Sequence, residues 1–227
     1  MTLFIFTLGF DEKFIIRFLL RHHLSKSDEV VIICPDDYLT NEKAKNAYNS
    51  VKKILQSWIT KEQIAILTLN PDDDSAKNIR IVQSYFNRKN PNKIIVSLSG
   101  GMRIIITLTL LALLQLQKIV PIQLEIDFEN LSSYTAMPLE IINVPYSSRV
   151  YEILLLIHRN PSISIRKIAE RLGLSPATIS REVKDMKKRH LIKQVPDLKI
   201  TPAGKFYLTL HSPVNWSEIE DKIMDVE

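Results

Sequence analysis

The sequence predicts an α/β domain with a mostly parallel sheet, followed by a smaller α+β domain that holds most of the positive charge. The first part alternates short apolar runs with longer amphipathic stretches, which is typical of parallel strands joined by helices. After Pro145 the pattern changes to three short helices, two short strands and a closing helix. The 227 residues are enough for two modest domains, which we place at 1–145 and 146–227.

Composition argues against a disordered, collagen-like or membrane-embedded chain. Hydrophobic residues make up 45% and charged residues 24%, near the averages for soluble globular proteins. The start lacks the basic segment of a secretory signal, and polar residues interrupt the apolar stretch at 104–120 before it could span a membrane. Cys34 is the single cysteine, so no intrachain disulfide can form. We therefore expect a cytoplasmic protein without a membrane partner.

The elements of the first domain follow from its apolar runs. We predict strands at 3–7, 29–34, 64–69, 93–98 and 121–126, because each is a short run rich in Val, Ile, Leu or Phe. Amphipathic patterns predict helices near 12–24, 40–58, 75–88 and 102–118. Residues 132–144 are expected to add one or two further strands. A strand order of 3-2-1-4 would put the first and fourth strands side by side.

Two loops at the carboxyl ends of these strands form the candidate ligand site, because ligands of open α/β sheets bind outside these ends. Gly100 and Gly101 would let the backbone approach a ligand, and Arg103 with the start of the next helix suits an anionic group. An ordinary tight turn is the alternative, and neither a P-loop nor a full dinucleotide-binding motif is present. The candidate residues are Thr7, Leu8, Gly9, Phe10 and Asp11 after the first strand, and Ser97, Leu98, Ser99, Gly100, Gly101, Met102 and Arg103 after the fourth.

The second domain has the element order of a winged helix-turn-helix. We predict helices at 149–159, 164–172 and 175–190, strands at 191–195 and 198–201, and a last helix from 201 to about 211. Gly173 suits the tight turn before the third helix, which Ser175 would cap and Pro176 would begin. Turn, cap and wing together favour a DNA-binding domain.

Charge supports the same interpretation. Residues 146–211 contain 13 Lys and Arg against 5 Asp and Glu, whereas residues 1–145 contain 16 against 15. Such an excess is expected where a domain meets phosphates, and the alternative is a basic helix that packs against a protein partner. The residues predicted to contact duplex DNA are Ser175, Thr178, Ser180, Arg181, Lys184, Lys187, Lys188, Lys193 and Lys199. Those at the start of the third helix would reach base edges, and the lysines would contact phosphates.

The two loops, joined to a winged helix, resemble a known family. Thr-Leu-Gly-Phe-Asp at 7–11 and Ser-Leu-Ser-Gly-Gly-Met-Arg at 97–103 are similar to the CARF-domain transcriptional regulators of archaeal CRISPR systems, the Csa3 family. The resemblance implies a Rossmann-like CARF domain that forms a homodimer and binds a cyclic oligoadenylate, commonly cyclic tetra-adenylate, as allosteric ligand. It also implies winged helices that bind promoter DNA of CRISPR-associated genes.

The resemblance further assigns roles within the two loops. Gly9, Phe10 and Asp11 would line one wall of the pocket, and the second loop would contact phosphates, ribose or adenine. No metal ion or other cofactor is expected. Binding of the ligand would then change the affinity of the winged helices for the promoter.

Catalysis is the main alternative to pure sensing. Some CARF proteins cleave their own ligand, and Thr7, Ser99 and Arg103 could assist slow ring cleavage by positioning and charge. Because neither loop contains a histidine and arginine cannot act as a base, we predict no catalytic residue. Arg17 and His22 have the Arg-x4-His spacing of HEPN ribonucleases, which we interpret as chance on a helix of an α/β domain. A domain that only mediates protein contacts is the remaining rival.

Two acidic segments are also predicted to be structural. The aspartates at 72–74 precede a predicted helix, so we interpret them as capping and helix-dipole partners rather than metal ligands. The acidic tail at 218–227 is expected either to pack on the second domain as a short helix or to be a free end.

Overall fold

The computed structural model of the chain separates into two compact units, Met1–Val144 and Pro145–Glu227, named here the α/β domain and the winged domain. It describes residues 1–116, 120–194 and 196–213. The acidic tail predicted at 218–227, Val195 and the last residues of the helix predicted to end at 118 lie outside these ranges. None of the helices in the described ranges combines the length and apolar character needed to cross a membrane.

A six-stranded sheet forms the centre of the α/β domain. Its strands are β1 (Thr2–Thr7), β2 (Glu29–Pro35), β3 (Ile64–Leu69), β4 (Lys93–Ser97), β5 (Ile122–Asp127) and β6 (Tyr134–Pro138). Their order is β3-β2-β1-β4-β5-β6, and all neighbours are parallel except β5 and β6. Thr2–Phe6 of β1 pair with Lys93–Ser97 of β4. The predicted mostly parallel sheet with β1 beside β4 is therefore confirmed.

Helices cover both faces of this sheet. They are α1 (Lys13–Arg21), α2 (Glu42–Trp58), α3 (Ser75–Lys89) and α4 (Arg103–Leu114). Phe4 and Phe6 of β1 are buried in a core with α1 and α2. Leu3 and Ile5 of the same strand are buried in the opposite core with α3 and α4. Because β1 is buried on both sides, its sequence is a continuous apolar run, which is the pattern that predicted it.

The helix predicted at 12–24 ends earlier, at Arg21. His22 leaves the helical conformation, with φ −116° and ψ 114°. Its ring packs against Phe18, and its Nε2 lies 2.9 Å from Oε1 of Glu125 on β5. A contact between distant parts of the chain, which local periodicity does not record, therefore ends this helix.

One further helix boundary in the α/β domain differs from the prediction, while the expectation of one or two strands within 132–144 is met by one. The helix predicted at 102–118 ends at Leu114, where the side-chain amide of Asn143 donates to the Leu114 carbonyl in place of a further helical hydrogen bond. Residues 132–144 form one strand, β6, followed by a 3₁₀ turn at Leu139–Ile141. Leu139 and Ile141 are buried, so core packing favours the turn over a second strand.

The winged domain has the predicted order of elements. These are α5 (Ser148–Arg159), α6 (Ile165–Leu172), α7 (Pro176–Lys188), β7 (Ile192–Gln194), β8 (Leu198–Ile200) and α8 (Pro202–Leu210). β7 and β8 are antiparallel and form the wing. The predicted winged helix-turn-helix is confirmed, although α7 ends at Lys188 rather than 190 because His190 adopts a left-handed φ of 58°.

The turn between α6 and α7 is built as the sequence predicts. Gly173 follows α6 in the left-handed conformation, with φ 63° and ψ 30°. The Oγ of Ser175 accepts from the backbone N–H of Thr178 at 3.1 Å, and Pro176 begins α7. The last helix is capped in the same way, because Oγ1 of Thr201 accepts from the N–H of Gly204 at 3.1 Å.

Gly204 and Gly173 provide a test of the packing of the winged domain. A Cβ on Gly204 would lie 2.2 Å from the carbonyl oxygen of Leu191, whereas a Cβ on Gly173 would meet nothing within 4 Å. We expect Gly204→Ala to destabilise this domain by roughly 3 kcal/mol or more through overpacking. Gly173→Ala should cost only about 1–2 kcal/mol, from its left-handed backbone. Urea unfolding of the full chain measures both, and equal losses would contradict the packing described.

Candidate ligand site and nucleic-acid interface

Loop 1 (residues 7–11) and loop 2 (residues 97–103) meet at the carboxyl end of the sheet. They follow β1 and β4, which pair in parallel. The hydroxyl of Thr7 donates to the carbonyl oxygen of Gly100. A Cβ on Gly9 would lie 2.5 Å from the backbone nitrogen of Gly101, so the two backbones are in direct contact. The structure thus brings the two loops together, as the predicted strand order requires.

The adjacent glycines of loop 2 have different structural demands. Gly101 has φ 113°, a conformation that residues with a side chain rarely adopt, and a Cβ there would lie 3.1 Å from the Leu8 carbonyl oxygen. A Cβ on Gly100 would meet its nearest atom, the Thr7 carbonyl oxygen, at 3.5 Å, which is an ordinary contact. The fold therefore requires Gly101 to be glycine, whereas Gly100 could carry a methyl group in ordinary contact with Thr7 and Phe14.

The loops bury some of the candidate residues and expose others. The buried ones are Thr7, Leu8, Ser97 and Leu98, and the half-buried ones are Gly9, Ser99, Gly100 and Gly101. The exposed ones are Phe10, Asp11, Met102 and Arg103. The surface of the loops therefore consists of two apolar side chains, one carboxylate, one guanidinium and glycine backbone. The roles of the candidate residues of loops 1 and 2 in binding a ligand stay predictions.

The start of α4 offers a positive helix end beside loop 2. Met102 precedes the helix and makes no side-chain capping hydrogen bond, whereas Asn41 caps α2 and Asp74 caps α3. The first amides of α4 are thus available to an anion, and the exposed Arg103 adds a full positive charge. This arrangement suits phosphate groups. Asp74 is one of the aspartates at 72–74 that were predicted to be structural, and its capping of α3 agrees with that prediction.

A buried ion-pair network that the sequence analysis did not identify lies between α1 and β5. Arg21 donates to both carboxylate oxygens of Asp127, at 2.7 and 2.9 Å, and to Glu125 at 3.1 Å. His22 also contacts Glu125, and Arg17 reaches Asp127 at 3.4 Å. The two acidic side chains are almost fully buried. We call these five residues the Arg21 network.

The Arg21 network is hydrogen-bonded to loop 2 through Ser99. The backbone N–H of Asp127 donates to Oγ of Ser99 at 2.7 Å, and this hydroxyl lies 3.4 Å from Oδ2 of Asp127. The same hydroxyl is 3.2 Å from Oγ of Ser97. A residue predicted to meet the ligand is therefore also an attachment point between loop 2 and β5.

Charges within the network lower the pKa of both carboxyl groups. Burial alone would raise the pKa of Asp127, but hydrogen bonds and charge from Arg21, then Arg17, outweigh burial and leave it below its ordinary value. Burial would likewise raise the pKa of Glu125, and His22, Gln123 and Arg21 together lower it. Both groups are therefore ionised at neutral pH.

The third helix of the winged domain, α7, has one apolar and one basic face. Ile179, Val183 and Met186 are buried, which confirms the predicted core positions. Among the predicted DNA-contacting residues, Ser180, Arg181, Lys184 and Lys188 are exposed on the remaining surface. A helix of this kind suits the major groove of a duplex.

Other predicted DNA-contacting residues take part in the winged domain's own hydrogen bonds. Ser175 caps α7, and its hydroxyl lies 2.9 Å from that of Thr178. The ammonium of Lys187 donates to the side-chain amide oxygen of Gln194 on the wing. These residues thus hold the start of α7 and the wing in place in the described structure.

The wing places two lysines opposite each other. Lys193 of β7 pairs with Lys199 of β8 in the antiparallel ladder, and both side chains are exposed. Like charges directly across a pair of strands are destabilising. An anion bound near the wing, such as a backbone phosphate of DNA, would offset this repulsion.

Comparison with known proteins is consistent with both halves of this description. The family model described as "Csa3 CRISPR-associated Rossmann-like domain" matches residues 2–138. The model described as "Winged helix-turn-helix DNA-binding" matches residues 149–193. A curated protein of Saccharolobus solfataricus, "CRISPR locus-related putative DNA-binding protein Csa3", is 24% identical over 190 residues, which cover 83% of this chain and 78% of that protein.

The contact between the two loops is tested by a pair of glycine substitutions. Gly9→Ala would push a methyl group to 2.5 Å from the Gly101 nitrogen, whereas Gly100→Ala would make only contacts of 3.5 Å or longer. We expect Gly9→Ala to destabilise the α/β domain by about 2–3 kcal/mol, and to speed amide hydrogen exchange in both loops. Gly100→Ala should change stability by less than about 1 kcal/mol. Similar exchange rates in the two variants would refute the close contact.

Proposed function

This chain belongs to the Csa3 family of CRISPR-associated proteins with a Rossmann-like domain, and from that membership we propose that it is a ligand-responsive regulator of CRISPR-associated genes. A homodimer of the α/β domains binds a cyclic oligoadenylate, the cyclic tetra-adenylate, at loops 1 and 2 of both copies. The winged domains bind promoter DNA, and the bound ring changes their affinity for it.

The observation that carries the ligand half of this proposal is the set of anion-binding groups where the two loops touch. The amides at the uncapped start of α4, the half-buried glycine backbone of loop 2 and the exposed guanidinium of Arg103 are at one end of the sheet. A cyclic oligoadenylate has one negative phosphate per nucleotide, so each copy of such a set can hold part of the ring. A ring with internal symmetry matches two copies related by a two-fold axis.

Exposed apolar side chains support a second copy at this end of the sheet. Phe10 is 63% exposed, Met102 44% and Ile104 37%. Large apolar side chains grouped on a surface mark interaction sites. In the proposed complex they are covered by the adenine bases and by the loops of the partner subunit.

The winged domain accounts for the DNA half. The start of α7, with Thr178 and Arg181, lies against base edges in the major groove. Lys184 and Lys188 of α7 contact phosphates and set affinity and its salt dependence. The wing lysines, opposed across β7 and β8, contact the backbone on the flank.

We propose that the ring is bound and not cleaved. The hydroxyl of Thr7 donates to the Gly100 carbonyl, and that of Ser99 accepts from the Asp127 N–H. Both hydroxyls that could have assisted cleavage are thus engaged within the fold. Chromatography of the ring after warm incubation with the protein should recover it intact, and linear products would favour a ring nuclease.

Arg103→Ala tests the ligand site directly. Loss of a charge-assisted hydrogen bond should weaken binding of cyclic tetra-adenylate by roughly tenfold or more, measured by calorimetric titration with saturation expected at one ring per two chains. Arg88→Ala is the matched control, because Arg88 is also exposed but lies in the last turn of α3, just before β4 begins at the opposite end of the sheet. Unchanged binding in Arg103→Ala would contradict the site, and DNA binding by the ligand-free protein should be the same in both variants.

Arg181→Ala tests the reading of bases by α7. Against duplexes selected by the native protein, it should weaken binding by about 1–3 kcal/mol and relax sequence preference at one position. Lys184→Ala should weaken binding to selected and unselected duplexes alike and reduce the slope of log K against log salt by about 1. Fluorescence anisotropy at several salt concentrations separates the two effects. Native affinity in Arg181→Ala would exclude that role.

A further inference from the structure

Arg21 is fixed on several sides and has little freedom to meet a ligand itself. All three of its guanidinium nitrogens donate to the carboxylates of Asp127 and Glu125. Its planar head also lies over the ring of Tyr134 on β6, with 4.1 Å between Cζ and the ring centroid. Its side chain is only 17% exposed. A guanidinium held this way sets the position of its partners.

The partners of Arg21 hold the part of loop 2 that precedes the glycines. The N–H of Leu98 donates to the Glu125 carbonyl at 3.3 Å, and the hydroxyl of Ser99 accepts from the Asp127 N–H at 2.7 Å. Residues 98 and 99 are thus attached to the two residues of β5 whose carboxylates bind Arg21. Gly100 and Gly101 follow directly, so their direction depends on this attachment.

Charge gives Arg21 a second effect on the same loop. The carboxylate of Asp127 comes within 3.4 Å of the Ser99 hydroxyl, in a part of the protein where water screens charge poorly. Without a cation beside it, this carboxylate would repel an anionic ligand bound at loop 2. Arg21 and, more weakly, Arg17 neutralise it.

The network is costly if its only task is to cover one face of β5. Removing two carboxylates from water is unfavourable, and well-packed apolar side chains stabilise a core equally well or better. Buried polar networks instead favour one unique arrangement of the groups they join. The groups joined here are α1, β5 and loop 2.

We propose that Arg21 is a positioning residue for the ligand site: through Asp127 and Ser99 it fixes loop 2 in the conformation that binds the anionic ring. This inference rests on the proposed function, since it concerns the same loop. Arg21 does not touch the ligand, and its positioning effect, as distinct from the effect of its charge, reaches the ligand through Ser99. The effect of changing Arg21 therefore depends on whether Ser99 is present.

A double-mutant cycle tests this dependence in the full-length protein. Arg21→Lys keeps the positive charge but loses the two-pronged contact with Asp127, and Ser99→Ala removes the hydroxyl that joins Asp127 to loop 2. We expect each single variant to weaken cyclic tetra-adenylate binding roughly tenfold. The double variant should bind within about twofold of Ser99→Ala, because that variant already lacks the Ser99 hydroxyl through which the Arg21–Asp127 contact acts on loop 2. A general loss of stability would instead make the two effects multiply.

The control removes an ion pair elsewhere in the same domain. Lys89→Gln breaks the 2.6 Å contact of Lys89 with Glu29 and should leave ring binding unchanged. Native affinity in Arg21→Lys, or full multiplication of the two effects, would overturn the inference.

Hydrogen exchange of residues 97–103 in the ligand-free protein separates this inference from the proposed function. Faster exchange in Arg21→Lys than in Lys89→Gln supports the positioning role, whether or not the native protein binds the ring. Failure of the native protein to bind the ring would contradict the proposed ligand and leave the positioning role intact. Equal exchange in the two variants overturns the positioning role.

Discussion

The contact between the backbones of Gly9 and Gly101 constrains the whole carboxyl end of the α/β sheet. It exists because β1 and β4 are parallel neighbours, so the chain leaves both strands at the same place. Gly101 must adopt a positive φ to pass loop 1, and α4 begins immediately afterwards. The direction of α4 and the exposure of Arg103 both depend on this close approach.

The Arg21 network is a second constraint, which acts from the other side of loop 2. β5 contributes Ile122 and Leu124 to the apolar core beneath α3 and α4, whereas its opposite face carries the two carboxylates that bind Arg21. Helix α1 therefore meets β5 through charge and hydrogen bonds, and meets β1 through apolar packing. Loop 2 is held between these contacts and the backbone of loop 1.

The sequence predicts elements well where the signal is local. The apolar runs of β1, β2 and β4 and the cap at Ser175 depend on near neighbours, and the structure confirms them. The end of α1 depends on a contact between His22 and Glu125, 103 positions apart, which no local pattern records. The strict alternation of apolar and polar residues in β5 was the available sign of its charged face. Periodicity could show that face, but it could not pair Asp127 with Arg21.

Coupling between the ring and DNA is the defining property of the proposed regulator, and reciprocal binding measures it most directly. Anisotropy gives the affinity for a selected duplex with and without saturating cyclic tetra-adenylate, and calorimetry gives the affinity for the ring with and without the duplex. Energetic coupling between two sites is reciprocal, so we expect the ring to change DNA affinity by a factor of about 5–150 and DNA to change ring affinity by the same factor. A protein that binds both but shows the same DNA affinity with and without the ring would contradict the proposed regulator.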